Sequence, residues 1–423
     1  MTKLSRLSRR RFLRTAGLVT GGAWLASCAP TSSPAPTNKP SASQPTGAPA
    51  TSAGARSAGG ERPLKIGVVL PYAGVYTLLG ESITNGMELY FASVGNTAGG
   101  RPIVLLKEDE GTPEEALRKT RKLVEQDGVD LLTGIVSSAS AYAIRDYVHE
   151  NQVLFICSNA GGNDLTRARK SPYIYRTSFA NAQLNAPMGE FIYRNIARRV
   201  FISGADYAAG HEQVGAFREA FVAAGGEIVG EAWPPFPNND YAPYLTQIAQ
   251  ARPEASYSAF FGSDAVNFVK QFAEFGLKST IRLCGGGAMI DEDTLPAQGQ
   301  AALGGITGMH YTPTLDTPEN RAYVEAYRAK YNREPDSYSI QGYDTARWIV
   351  EAVNALQGDT SDKRKLGDAL LGIKFVSPRG PVELDPETHN IVMNIYAREV
   401  REVDGRLTNV VIATFPLVRD RGA

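Results

Sequence analysis

The chain has little of what most enzymes need. Three cysteines and four histidines are spread over 423 residues, and none falls at metal-ligand spacing. There is no Gly-x-Ser-x-Gly elbow, no His-Glu-x-x-His pair and no Walker loop. His149, His211, His310 and His389 have no cysteine or acid at motif spacing and read as surface or helix residues. Glu108-Asp109-Glu110 reads as a solvated strand end, not as paired catalytic acids. The expectation is a protein with no enzymatic activity, no cofactor and no metal. After residue 28 no apolar run is long enough for a membrane span. A charge excess is missing too, with 44 basic and 44 acidic residues. Residues 1–27 hold six of the basic residues and no acid, so residues 28–423 carry 38 basic against 44 acidic. No basic stripe with interleaved aromatics occurs, which removes nucleic acid as an expected partner.

What the chain does have begins with an address. Arginine-rich residues 1–14 precede a short apolar segment, residues 12–26, in the pattern of a signal peptide. Ser8-Arg9-Arg10-Arg11-Phe12-Leu13-Arg14 resembles a twin-arginine export signal. The alternative is an ordinary basic n-region. Leu25-Ala26-Ser27-Cys28 resembles a bacterial lipobox, in which Cys28 carries lipid and becomes the first mature residue. Lipid chains hold by burying methylenes, about 0.8 kcal/mol each. Residues 28–63 then read as the lipidated cysteine and a tether of Pro, Ser, Thr, Ala and Gly. Such a composition buries too little apolar surface to offset its ordering entropy. The expected location is therefore extracytoplasmic and membrane-anchored.

From residue 64 the pattern alternates. An apolar run at 66–70 is stopped by Pro71, and Ile83, Met87, Tyr90, Phe91 and Val94 then recur at helical spacing. Thr112-Pro113-Glu114-Glu115 reads as a capping box opening the next helix. Strands at 131–136 and 153–156 run into Ser137-Ser138-Ala139-Ser140 and Ser158-Asn159-Ala160-Gly161. The alternation restarts at 200–203 and continues to Gly285-Gly286-Gly287-Ala288-Met289. Helices are expected at 318–331, about 339–356 and 363–371, then a hairpin about Asp404-Gly405. Strand–helix alternation argues parallel sheets covered by helices. The expectation is an α/β protein of two lobes. One lobe takes residues 64–179 and 311–380, the other 180–310 and 381–418, with hinges near 179, 311 and 378–381. Cys157 and Cys284 read as two buried free thiols.

The stretches LKIGVVLPYAG, NGMEL, LLTGIVSSASA, VLFICSNAGGNDLT, SGADYAAGHE, FFGSDAVNFVKQFAEFGL and YSIQGYDTARWI occur in this order. Their order and spacing resemble the extracellular solute-binding proteins of ABC importers, in the leucine/isoleucine/valine-binding subgroup. The resemblance implies the type I periplasmic-binding fold, with each lobe a mostly parallel sheet flanked by helices and a ligand cleft between them. It implies a monomer that binds a small molecule and delivers it to permease subunits. A sensory module of the same fold, without transport, is the alternative.

The strand ends supply the candidate ligand contacts. Ser137 and Ser138 match the family's serine loop, which takes a ligand carboxylate. Asn159, Ala160 and Gly161 form the next loop, and Gly161 stands where amino-acid binders place a threonine. Tyr207 matches the family's cleft tyrosine, and Tyr76 is its expected counterpart on the first lobe. Amino-acid binders hold the ligand ammonium with a glutamate after the strand equivalent to 281–284. Here that segment is glycine-rich and runs on to Met289. An ammonium without a carboxylate partner in a dry cleft is costly. A carboxylate lacking an amino group, aromatic or other, or an amide, fits better. Asp264 is the remaining acid that could supply a negative charge.

Overall fold

In the computed structural model, residues 62–421 are described. The leader, Cys28 and the tether up to residue 61 lie outside them. The chain opens with β1 (Leu64–Leu70), α1 (Thr77–Ser93), β2 (Thr97–Ala98), β3 (Arg101–Asp109) and α2 (Pro113–Arg121). It continues through β4 (Leu131–Gly134), α3 (Ser138–Glu150), β5 (Phe155–Cys157) and β6 (Ile174–Arg176). These strands form one sheet in the order β2-β3-β1-β4-β5-β6, parallel except for the short edge strand β2. The β1 strand has near-complete burial because helices cover both faces. The expected capping box is present: Thr112 accepts from the Glu115 amide, and Glu115 reaches back to the Thr112 amide.

The second half comprises α4 (Asn181–Asn195), β7 (Arg199–Gly204), α5 (Ala208–Ala223), β8 (Glu227–Ala232), α6 (Ala242–Ala251) and β9 (Ala255–Ala259). Then come α7 (Gly262–Glu274), β10 (Arg282–Gly286), α8 (Leu295–Gln298) and β11 (Ile306–Met309). The chain next forms α9 (Pro318–Tyr331), α10 (Ser337–Ala355) and α11 (Lys363–Leu371). It closes with β12 (Lys374–Ser377), β13 (Gly380–Leu384), β14 (Ile391–Val403) and β15 (Arg406–Val418). The second sheet runs β12-β13-β14-β11-β10-β9-β7-β8, with β15 on the other edge of β14. Its β8-to-β11 portion is parallel, and the terminal hairpin β14–β15 is antiparallel.

Helix α10 returns to the first lobe and lies on α1 with backbones in contact. A Cβ on Gly86 would meet the Ser339 carbonyl at 1.8 Å, and one on Gly342 would meet the Ile83 carbonyl at 2.0 Å. Glycine is therefore required at this crossing. The chain leaves the first sheet after β6, returns from β11 to lay α10 on α1, and rejoins the second sheet at β12, three passages in all. At the first passage, the fully buried Arg379 donates to the carbonyls of Thr177 and Ser178 and pairs with Asp344 of α10 at 2.7 Å. At the second, the fully buried Arg398 donates to the Tyr311 carbonyl and pairs with Asp291 at 2.7 Å. The third passage is a ribbon. Lys374–Ser377, assigned to the first lobe from sequence, bonds to β13 of the second sheet, while its Phe375 ring packs on Trp348 of α10.

Cys157 and Cys284, the cysteines among the described residues, are free and buried, one in each sheet. Among the described residues no helix is long and apolar enough to cross a membrane.

Candidate functional site

The carboxyl ends of β1, β4, β5, β7, β9 and β10 face one another across the gap between the lobes. In open α/β sheets this is where ligands sit. A small cavity of about 20 Å³ lies there, roughly the room of one water. It is lined from the first lobe by Tyr76, Leu79, Val136, Ser138, Asn159, Gly161 and Tyr338, and from the second by Asn181, Leu184, Tyr207, Gln213, Phe261 and Ala288. Ala209 of α5 also lines it, and Phe179 and Met309 complete it near the passages between lobes. No Asp, Glu, Lys or Arg lines it.

Tyr76 and Tyr207 meet across the gap, hydroxyl to hydroxyl at 2.6 Å. Burial pushes both phenols up, so both stay protonated. Phe236, on the loop after β8, stacks on Tyr207 with centroids 4.7 Å apart and tilts on Tyr76 at 5.6 Å. This aromatic cap and the narrow cavity define a closed arrangement of the lobes.

Opposite the tyrosines lies a polar corner at the start of α3. Ser138 is 2 % exposed, and its hydroxyl accepts from Asn181 Nδ2 at 3.4 Å. The turn leading in carries Gly134 and Ile135 at φ 112° and 64°. A β-branched residue at positive φ is strained and marks a backbone fixed by its surroundings. Here it turns the Val136 and Ser137 amides onto Glu110, which accepts them at 2.7 and 2.9 Å. The next amides, of Ser138 and Ala139, open the first turn of α3, where no carbonyl of the helix reaches them. Asn159 is fixed by donating to Gln341 at 2.7 Å, and Gln341 bonds to the buried His310. Burial and nearby arginines hold His310 well below the usual histidine range, hence neutral. The surface-or-helix reading of His310 and His389 is corrected, since both are buried.

The structure brings Tyr76, Ser138, Asn159, Gly161 and Tyr207 together in one lining. Four other candidates fall outside it. Ser137, the residue before α3, gives its amide to Glu110 and is not part of the lining. Ala160 is buried behind the loop, its amide bonded to the Ile135 carbonyl. Met289 packs under Gly285, and its neighbour Ala288 lines the cavity instead. Asp264 is buried on the second lobe, where it accepts from the Asn238 amide at 2.7 Å and the Tyr241 hydroxyl at 3.2 Å. It anchors the loop that carries Phe236 and offers no charge to the cavity.

Glu110 corrects a further expectation. It is not solvated but 1 % exposed, and burial pushes its carboxyl up to about 7. Sequence reasoning also missed Asn181 and Gln213. Gly161 is the trace they left, because a Cβ there would come within 2.4 Å of Asn181 Oδ1.

Known proteins resemble this chain along most of its length. A family model described as periplasmic binding protein matches residues 63–406. A Leu/Ile/Val-binding protein homolog from Brucella suis is 34% identical over 367 residues, covering 85% of this chain and 93% of the relative. An ABC transporter substrate-binding protein from Sphaerobacter thermophilus superposes with a TM-score of 0.80 at 40% identity, covering 85% of this chain and 99% of that one. A solute-binding protein of an ABC transporter from R. palustris, solved in complex with benzoate, superposes with a TM-score of 0.81 at 36% identity and the same coverage. With its two sheets, its interlobe cavity and these relatives, the chain belongs to the periplasmic binding protein family and has the two-lobed type I fold.

Proposed function

We propose that this protein is the lipid-anchored, extracytoplasmic receptor of an ABC importer, that it takes an aromatic carboxylate between its lobes, and that it delivers it as a monomer to the permease. The observation that carries the ligand class is the lining: five aromatic rings (Tyr76, Phe179, Tyr207, Phe261 and Tyr338) and no charged side chain. An α-ammonium would lie there without a carboxylate partner, at a large desolvation cost. A carboxylate has a place at the start of α3, where the Ser138 hydroxyl, the first amides and the helix dipole all favour an anion. The ring then lies among Tyr76, Phe179 and Tyr207 by stacking and edge contacts. The R. palustris relative in complex with benzoate supports the same class.

A thermal-shift screen over amino acids, aromatic acids, their amides and short-chain acids tests the reading, since a ligand of the folded state raises the melting temperature by mass action. Benzoate and its ring-substituted analogues are expected to raise it most. A shift produced by leucine or valine and not by any aromatic acid would overturn the assignment. For the anchor, Cys28→Ala is expected to release the body from membranes.

A further inference from the structure

We infer that the pocket between α8, the α9–α10 connection and the β14–β15 turn is a second ligand site, which takes a primary ammonium group on a short apolar body. The inference is independent of the ligand held between the lobes, since no residue lines both cavities.

The pocket has a volume of about 620 Å³, within the range of small-molecule sites. Leu295, Pro296, Pro313, Val403 and Leu407 give it apolar walls. Its charged groups divide into two sets. On the solvent side, Arg328 and Arg406 both pair with Glu334, and Arg333 donates to the Tyr327 hydroxyl. These arginines are at least 36 % exposed and are committed to partners at the surface.

Glu292 and Asp293 lie deeper and are not paired in this way. Asn409 orients Glu292, its amide and Nδ2 donating to Oε1 at 3.0 and 3.1 Å. That leaves Oε2 without a hydrogen bond on a side chain only 4 % exposed. Both carboxylate oxygens of Asp293 are buried as well, and no donor among the described residues reaches them. Arg398 does not fill the gap. Its Nη1 lies 3.8 Å from Glu292 Oε2 but donates to Asp291 and the Tyr311 carbonyl, while Nη2 donates to the Gly287 and Ile290 carbonyls. Burial, and after it the charge of Asp291, pushes both carboxyls up, as expected of acids short of a counter-charge.

Buried acceptors that lack donors favour a ligand that brings them. Three carboxylate oxygens stand open here, and a primary ammonium carries three donors on one compact charge. Among the described residues no group of His, Cys, Asp and Glu is arranged to hold a metal ion, so an organic cation fits better than a divalent one. The apolar walls take its body.

Calorimetry at pH 8 on the full mature chain tests this with methylamine, n-butylamine and benzylamine. The controls are 1-butanol, which keeps the body without the charge, and calcium chloride. At least one amine is expected to bind about tenfold or more tighter than the alcohol, the scale of hydrogen bonds to a charged group. Calcium is expected not to bind. Asp293→Asn keeps the shape, removes the charge and is expected to weaken amine binding by about tenfold or more. The comparison of amine with alcohol in the wild type tests the inference even if the variant does not fold. Absence of binding by all three amines, equal binding of butanol and butylamine, binding of calcium in their place, or amine affinity unchanged in Asp293→Asn would overturn it.

Discussion

Glu110→Gln probes the buried floor of the site through its pH dependence. The carboxyl of Glu110 is fully enclosed, accepts the Val136 and Ser137 amides, and has no cationic partner among the described residues. Desolvation outweighs the hydrogen bonds from Val136, Ser137 and Ser140 and lifts its pKa from 4.5 to about 7. In the unfolded chain the group returns to the ordinary glutamate range. Between these values the folded protein holds a proton that the unfolded chain has lost, so stability falls as pH rises. The contribution is fully present below pH 4.5 and gone above about 7. Two and a half pH units at 1.36 kcal/mol each come to about 3 kcal/mol. Glutamine does not ionise and lacks this dependence. Urea unfolding of wild type and Glu110→Gln at pH 5 and pH 8 measures it. Wild type should lose about 2.5 kcal/mol more than the variant between the two pH values, since pH 5 already lies above the unfolded pKa, with the distant titrating groups cancelling in the difference. Parallel pH dependence in the two proteins would refute the buried, unpaired state of Glu110.

Other contacts can be perturbed in the same way. Tyr207→Ala removes both the hydroxyl bond to Tyr76 and the ring stacked on Phe236, and should weaken ligand binding by about 1–3 kcal/mol by calorimetry. Gly161→Ala drives a methyl into Asn181 Oδ1 and the Phe179 ring; binding should fall at least tenfold, while circular dichroism keeps the wild-type signature. Asp344→Ala leaves Arg379 buried without its partner and should lower the unfolding free energy, measured in urea, by about 3–5 kcal/mol.

The architecture was largely legible because strand and helix periods alternate cleanly and turn residues punctuate them. Helices α9 and α11 begin and end where Pro318, Tyr331, Lys363 and Leu371 mark them. Helix α4 was not legible: Pro187 lies inside it, and the polar Asn181, Gln183 and Asn185 interrupt any apolar stripe, although their side chains bond to Glu212, the Ile391 carbonyl and the Tyr257 hydroxyl. The site was legible where a residue sits on a strand end, as Ser138, Asn159 and Tyr207 do. It was not legible where burial depends on partners far away in sequence. Glu108 is indeed a lysine-paired acid near the surface, bonded to Lys119 and Lys122. Glu110, two residues on, has passed the strand end and lies under α3. Asp264 lies beyond a strand end, in the first turn of α7, but its carboxylate is claimed by Asn238 and Tyr241. Gln213 belongs to no motif, and only its place in the lining reveals it.

The central claim is an uncharged cleft that holds an aromatic carboxylate by its anionic head at Ser138. Calorimetry of wild type and Ser138→Ala with benzoate, benzamide and leucine tests it most directly. The account predicts that wild type binds benzoate and not leucine, and that Ser138→Ala loses more affinity for benzoate than for benzamide, because hydrogen bonds to charged groups are the stronger ones. Tight binding of leucine by wild type, or equal losses for acid and amide, would contradict it.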